Sequence, residues 1–137
     1  MGMDNNINKW INKYYDWLKS RTRIETIGEL IEISTPFLDR HNDGIVLYLK
    51  IETSGDIRLT DDGNTIDDLE MSGYEFSDTR RRFLDKYLKS FGVSLEGNEL
   101  TIIANEQNYP EKLHSLIQCI LAVNYICEFS SADIASD

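Results

Sequence analysis

Residues 45–63 read IVLYLKIETSGDIRLTDDG, and the fold turns on them. Positions 45–52 are rich in β-branched and aromatic side chains, the residues that suit a pleated, half-buried surface. Ser54-Gly55-Asp56 is a short reversal, and IRLT at 57–60 runs back along the first segment, which predicts a β-hairpin. Asn42-Asp43-Gly44 before it and Asp61-Asp62-Gly63 after it are turn sequences. Upstream, LIEIST at 30–35 stands before Pro36, which pushes Thr35 into an extended conformation, so a third strand is predicted there. Ile24, Ile27 and Ile31 have helical spacing that Gly28 interrupts, and residues 24–29 receive no element.

On either side of this strand region the periodicity changes to that of helices. Ile7, Trp10, Ile11, Tyr14, Trp17 and Leu18 recur at steps of three and four, which predicts a basic amphipathic helix over 5–20 whose aromatic face packs into the core. Thr65-Ile66-Asp67-Asp68 resembles a helix start, and Gly73 stops that helix. Residues 78–91 place Phe83, Leu84, Tyr87, Leu88 and Phe91 on one side of a further helix. A second hairpin, 93–95 with 99–104, turns at Glu96-Gly97-Asn98. Pro110 opens a helix to about 129 that is apolar nearly all round, either central to the fold or a homodimer interface. The small polar tail 130–137 is expected to fray. The expectation is one α+β domain over 1–137, a small antiparallel sheet of about five strands covered by helices.

With 137 residues, 41% hydrophobic and 28% charged, the chain has the size and composition of one globular domain rather than a disordered one. No apolar run reaches a membrane-spanning length, and the first ten residues lack the shape of a secretory signal. Cys119 and Cys127 share one apolar stretch, so a disulfide scaffold is not expected and a cytoplasmic setting is. The net charge of −10 argues against indiscriminate binding to nucleic acid. That charge is segregated: +3 over residues 1–23, −11 over 24–79, +4 over 80–92 and −6 over 93–137. Either the basic segments pack against the acidic middle, or the acids await something outside the molecule.

Two groups of residues carry the candidate chemistry. Asp39, His41, Asp43 and Asp61, with Asp62 beside them, stand in turns at strand ends; if they converge they would suit Mg²⁺ or Mn²⁺ and phosphodiester chemistry. The same residues have structural roles open to them: turn formation, Asp62 capping the following helix, and Asp39 pairing with Arg40 or Arg58. No HExxH, GxxxxGK[ST] or CxxC pattern is present. The second group is the acidic belt Asp56, Asp61, Asp62, Asp67, Asp68 and Glu70. Arg80, Arg81 and Arg82 would contact phosphate or an acidic partner, or neutralise that belt from within. His114 is expected at the core or its boundary.

The blocks TPFLDRHNDGIVLYLK, GDIRLTDDGNTIDDLEMSGYEF and RRRFLDKYLKSFGV resemble the domain of unknown function 1828 family, small proteins of Gram-positive bacteria, their phages and prophages. The resemblance spans roughly residues 25–125 and implies a mobile-element setting; it brings no catalytic residues with it. A non-enzymatic protein follows as the first expectation, its acidic surface binding, and inhibiting, a basic nucleic-acid-acting host protein such as a defence nuclease, with no cofactor and no membrane. A metal-dependent nucleic-acid-processing enzyme or accessory is the alternative.

Overall fold

A computed structural model describes the backbone of residues 2–136 and the side chains of residues 2–125. The elements are α1 (Gly2–Ser20), β1 (Arg23–Ile27), β2 (Leu30–Leu38), β3 (Gly44–Ile51), β4 (Ile57–Thr60), α2 (Asn64–Met71), α3 (Asp78–Lys89), β5 (Ser94–Glu96), β6 (Glu99–Ala104) and α4 (Tyr109–Ser136). The six strands form one antiparallel sheet in the order β1-β2-β3-β4-β6-β5. The chain is therefore α+β, with one strand more than the sequence predicts.

The additional strand is β1, the segment whose isoleucines have helical spacing. Ile27 pairs with Leu30, so Gly28 and Glu29 alone make the turn. Gly28 takes φ +62°, the first position at which a two-residue hairpin turn favours glycine. The glycine that would interrupt a helix is here the pivot of a hairpin.

Strand alternation separates the two faces of the sheet. Ile33 pairs with Leu47 and Leu59 with Ile102, and Leu49, opposite Leu59 and two residues after Leu47, puts both pairs on one face; Ile33, Leu47, Leu59 and Ile102 are all buried. Against them pack Ile66 and Leu69 of α2, Leu84 and Leu88 of α3, and Leu116, Ile120 and Val123 of α4. Burying such side chains, at roughly 1.5–3 kcal/mol each, is what holds the layers together. Ser77 starts α3 by accepting a hydrogen bond from the Arg80 backbone N–H at 3.2 Å. The backbone of α4 continues to Ser136, beyond the end at 129 predicted from sequence. Cys127 and the side chains of the tail lie outside the described residues.

The largest departure is α1. None of its residues is buried; Trp10 is 64% exposed, and Tyr14 and Trp17 are about half exposed. The predicted periodicity is present, but the core it was expected to join is closed by α2, α3 and α4. His114 is likewise exposed rather than buried: residues 113, 116, 117 and 120 supply the face of α4 that meets the sheet, and 114 points away from it.

Candidate functional site at the acidic end of the sheet

The turn between β2 and β3 and the connection from β4 to α2 lie at the same end of the sheet. Register breaks between Ser34 and Leu38, where Pro36 removes a ladder donor, and the chain then closes a tight loop. Asp39 Oδ1 accepts from the backbone N–H groups of His41 at 2.8 Å and Asp43 at 3.0 Å. Asn42 supplies a positive φ of 62°. Asp39 therefore serves its own loop and pairs with neither Arg40 nor Arg58.

Arg40 and His41 reach instead to Asp68 on α2. The Arg40 Nε and Nη2 lie 3.2 and 3.0 Å from Asp68 Oδ2, and His41 Nε2 lies 3.0 Å from both carboxylate oxygens. Arg40 also donates to Ser72 Oγ, and its backbone N–H to Asn124 Oδ1 of α4 at 3.4 Å. Burial alone would raise the Asp68 carboxyl, but the Arg40 guanidinium and the His41 ring outweigh it and hold the group below the usual carboxylate value. A carboxyl depressed on folding stabilises the protein above its unfolded value of about 3.9, and that contribution is lost as the pH falls through the folded value. The native protein is expected to lose stability between about pH 6 and pH 3, and Asp68→Asn to lose less. The difference should stay under about 1 kcal/mol, since the pair is partly solvated. Urea midpoints at the two pH values measure it, and an equal fall in both proteins would contradict the assignment.

Asp61 follows β4 directly and is 1% exposed. Its carboxylate accepts from the backbone N–H of Gly63 at 2.9 Å, Thr65 at 3.1 Å and Leu100 at 2.9 Å. It thus covers the open N-terminus of α2 and ties it to β6, the role the sequence had given to Asp62. The residue flanking that helix is Gly63, which has no side chain to cap with. Burial pushes the Asp61 carboxyl up, against the pull of its donors.

Asp39, Gly44, Asp61, Asn64, Asp68 and Asn124 line a cleft of about 150 Å³ between the loop, α2 and α4. The cleft brings Asp39 and Asp61 to one place; both oxygens of Asp61 and Oδ1 of Asp39 accept from backbone donors, His41 is turned to Asp68, and Asp43 is exposed outside the cleft. Among the described residues no three His, Cys, Asp or Glu side chains are grouped to hold a metal ion. In the structure Asp39 braces its loop, His41 faces Asp68, Asp43 is exposed and Asp61 caps α2. Cys119 of α4 is fully buried, and burial and then the charge of Asp61 push its thiol up to about 12, away from the thiolate form that reacts.

The acidic belt is likewise divided. Asp56 precedes β4 and stands at its far end, bonded to Ser54 at 3.2 Å, whereas Asp61, Asp62, Asp67, Asp68 and Glu70 follow β4. Of these, Asp61 is buried and Asp68 is paired, leaving Asp62, Asp67 and Glu70 exposed. Asn98 Nδ2 donates to Asp67 Oδ1 at 2.7 Å and to Glu70 Oε1 at 2.9 Å. No cationic side chain forms an ion pair with Asp62, Asp67 or Glu70 among the described residues. The Tyr48 hydroxyl is pushed up by burial first and then by the charges of Glu32 and Asp62.

The arginines do not neutralise the belt directly. Arg80 donates to the Glu75 carbonyl at 2.6 Å and stacks over Tyr74. Arg81 donates to the Gly97 carbonyl at 2.6 Å and to Asn98 Oδ1 at 3.2 Å. Arg82 lies beside Asp78 and Asp85 in a shallow depression. Sequence reasoning missed Asn98 and Asn124. A lone amide in the apolar run ILAVNYIC was the one signal for Asn124, and a buried polar group needs a partner.

Among the described residues no helix is long and apolar enough to cross a membrane. No curated protein and no solved structure matches the chain. The match lies with a protein family, over residues 35–123, which run from the bulge of β2 through the cleft and the acidic turn to the Val123 that packs α4 on the sheet. The chain belongs to the family described as Domain of unknown function DUF1828.

Proposed function

We propose that the chain is a non-enzymatic binding protein whose acidic end, Asp62, Asp67 and Glu70, engages a basic surface on another protein. The fitting class of partner is a nucleic-acid-acting host protein, for instance a defence nuclease in a cytoplasm that also carries a mobile element. The observation behind this reading is that an asparagine, Asn98, and not an arginine, holds Asp67 and Glu70 side by side at the surface. Arg81 donates to the other end of the same amide but pairs with neither carboxylate, so two adjacent anions are presented at the surface. Charge complementarity of this kind speeds association and selects partners. The buried thiol and the committed carboxylates of the cleft support a binding role over a catalytic one.

Immobilised protein is expected to retain a basic nucleic-acid-binding protein from bacterial lysate at about 50 mM salt and to release it at about 500 mM. The variant Asp62→Asn/Asp67→Asn/Glu70→Gln should bind the purified captured protein at least about tenfold more weakly, in line with three lost charge contacts, and should no longer compete with its DNA. Retention of nothing basic, or equal binding by the variant, would overturn the proposal.

A further inference from the structure

The N-terminal segment, α1 and the β1 that follows it two residues later, leaves two kinds of binding capacity unused. The first is the apolar stripe of α1. Met3, Ile7, Trp10, Ile11, Tyr14, Tyr15 and Trp17 are all exposed large hydrophobics. At the areas typical of such side chains, their exposed parts amount to about 800 Å². A soluble monomer leaves its largest apolar patch at roughly 300–600 Å², whereas a stable protein interface takes about 800 Å² from each partner. The helix also needs such cover to persist. It has 19 residues, four of them the poor helix formers Asn5, Asn6, Asn8 and Asn12, and a helix of that length without tertiary burial is marginal in water.

The second is the free edge of β1. All five of its residues are exposed, and β2 pairs with only one side of it. The strand has no proline, and its five-residue ladder with β2 runs without a register shift, so the outer row of backbone groups is open to another strand. Its sequence, Arg23-Ile24-Glu25-Thr26-Ile27, is self-complementary about Ile24. An antiparallel copy centred there sets Arg23 opposite Glu25 twice and Ile24 opposite Ile24, while centring on Glu25 would oppose like charges. Ile24 extends the apolar face of the sheet, opposite Ile33 in β2, past the reach of the helices.

We propose that α1 and β1 form a two-fold interface with a second copy of this chain, the helices burying their stripes on each other and the strands pairing about Ile24. A symmetric interface uses one patch on both subunits, which is what a self-complementary edge beside a uniform apolar stripe provides. An anionic membrane surface suits the segment less well: residues 1–23 carry +3, but the remaining residues carry −13 and would be repelled by it. The interface lies on a different part of the molecule from the acidic end and stands or falls independently of the binding role proposed for it.

Light scattering on the eluted full-length chain is expected to give twice the 15.8 kDa chain mass at micromolar concentration. Trp10→Glu/Tyr14→Glu should run as a monomer with an unchanged urea midpoint for the sheet domain, because neither side chain is buried in the monomer. Arg23→Glu alone should weaken the dimer about fivefold, and Arg23→Glu/Glu25→Arg should restore it, since the swap recreates both pairs. Three results would overturn the proposal: a wild-type monomer throughout, including one that binds vesicles of anionic lipid; a dimer indifferent to Trp10→Glu/Tyr14→Glu, which would place the interface elsewhere, such as α4; or a dimer indifferent to Arg23→Glu, which would remove the strand pairing.

Discussion

Asp61→Ala is expected to cost about 3–5 kcal/mol of folding stability, the scale of leaving three buried backbone N–H groups without an acceptor at about 1–3 kcal/mol each. Three buried backbone donors, on Gly63, Thr65 and Leu100, would lose their acceptor together. Two of them lie at the start of α2 and the third in β6, so both the helix and its attachment to the sheet would loosen. For a domain with about 5–15 kcal/mol in hand, that is a large fraction. Asp61→Asn keeps one acceptor oxygen but turns an amide N–H towards a donor, and should cost about half as much. Urea denaturation with linear extrapolation measures both. A loss below about 1 kcal/mol for the alanine variant would show that the three donors find other partners. The pH dependence has a definite sign. Because burial raises this carboxyl on folding, its ionised form costs stability at neutral pH that acidification relieves, opposite to Asp68.

Gly44→Ala is expected to cost about 2–3 kcal/mol, as overpacking against a fixed backbone does. A Cβ at this position would stand 2.6 Å from the Thr35 carbonyl oxygen. That carbonyl belongs to β2 at the bulge, and Thr35 Oγ1 also donates to the Ile45 carbonyl at 2.8 Å, so neither strand is free to yield. Gly28→Ala is a useful contrast, since nothing lies within 4 Å of its added Cβ and only the positive φ opposes it; its cost should be nearer 1 kcal/mol. Equal losses at the two glycines, measured by denaturation, would mean that β2 and β3 separate easily. The Gly44 substitution should also disturb Arg40 and His41, because that junction carries their loop.

The central hairpin, the second hairpin and the helices at 64–71, 78–89 and from 109 were all legible, because their cues are local. Alternation of Leu47 and Leu49 with Tyr48, the turn residues between strands, and the step of four from Leu84 to Leu88 need no knowledge of the rest of the chain. β1 was not legible. Its isoleucines fall three apart, and a strand of five residues at a sheet edge has no buried face to impose a period of two. Asn42-Asp43-Gly44 was correctly placed as a turn, but its glycine is required by the approach of Thr35, a residue of another strand.

Local patterning therefore settled the class of the fold, the positions of most elements and the sign of the charge at the turn after β4. Assembly settled which patterned faces meet. The stripe of α1 is as regular as that of α3, yet α3 is covered and α1 is not, because the sheet has one apolar face and three other helices fill it. The carboxylates of residues 39–70 are chemically alike in the sequence. Packing made Asp61 a buried cap, Asp68 an ion-pair partner, and Asp67 and Glu70 an outward-facing pair. A carboxylate's role depends on which donors come within about 3 Å of it, and those donors lie on Arg40, Asn98 and Leu100, 28 to 39 residues distant in the chain.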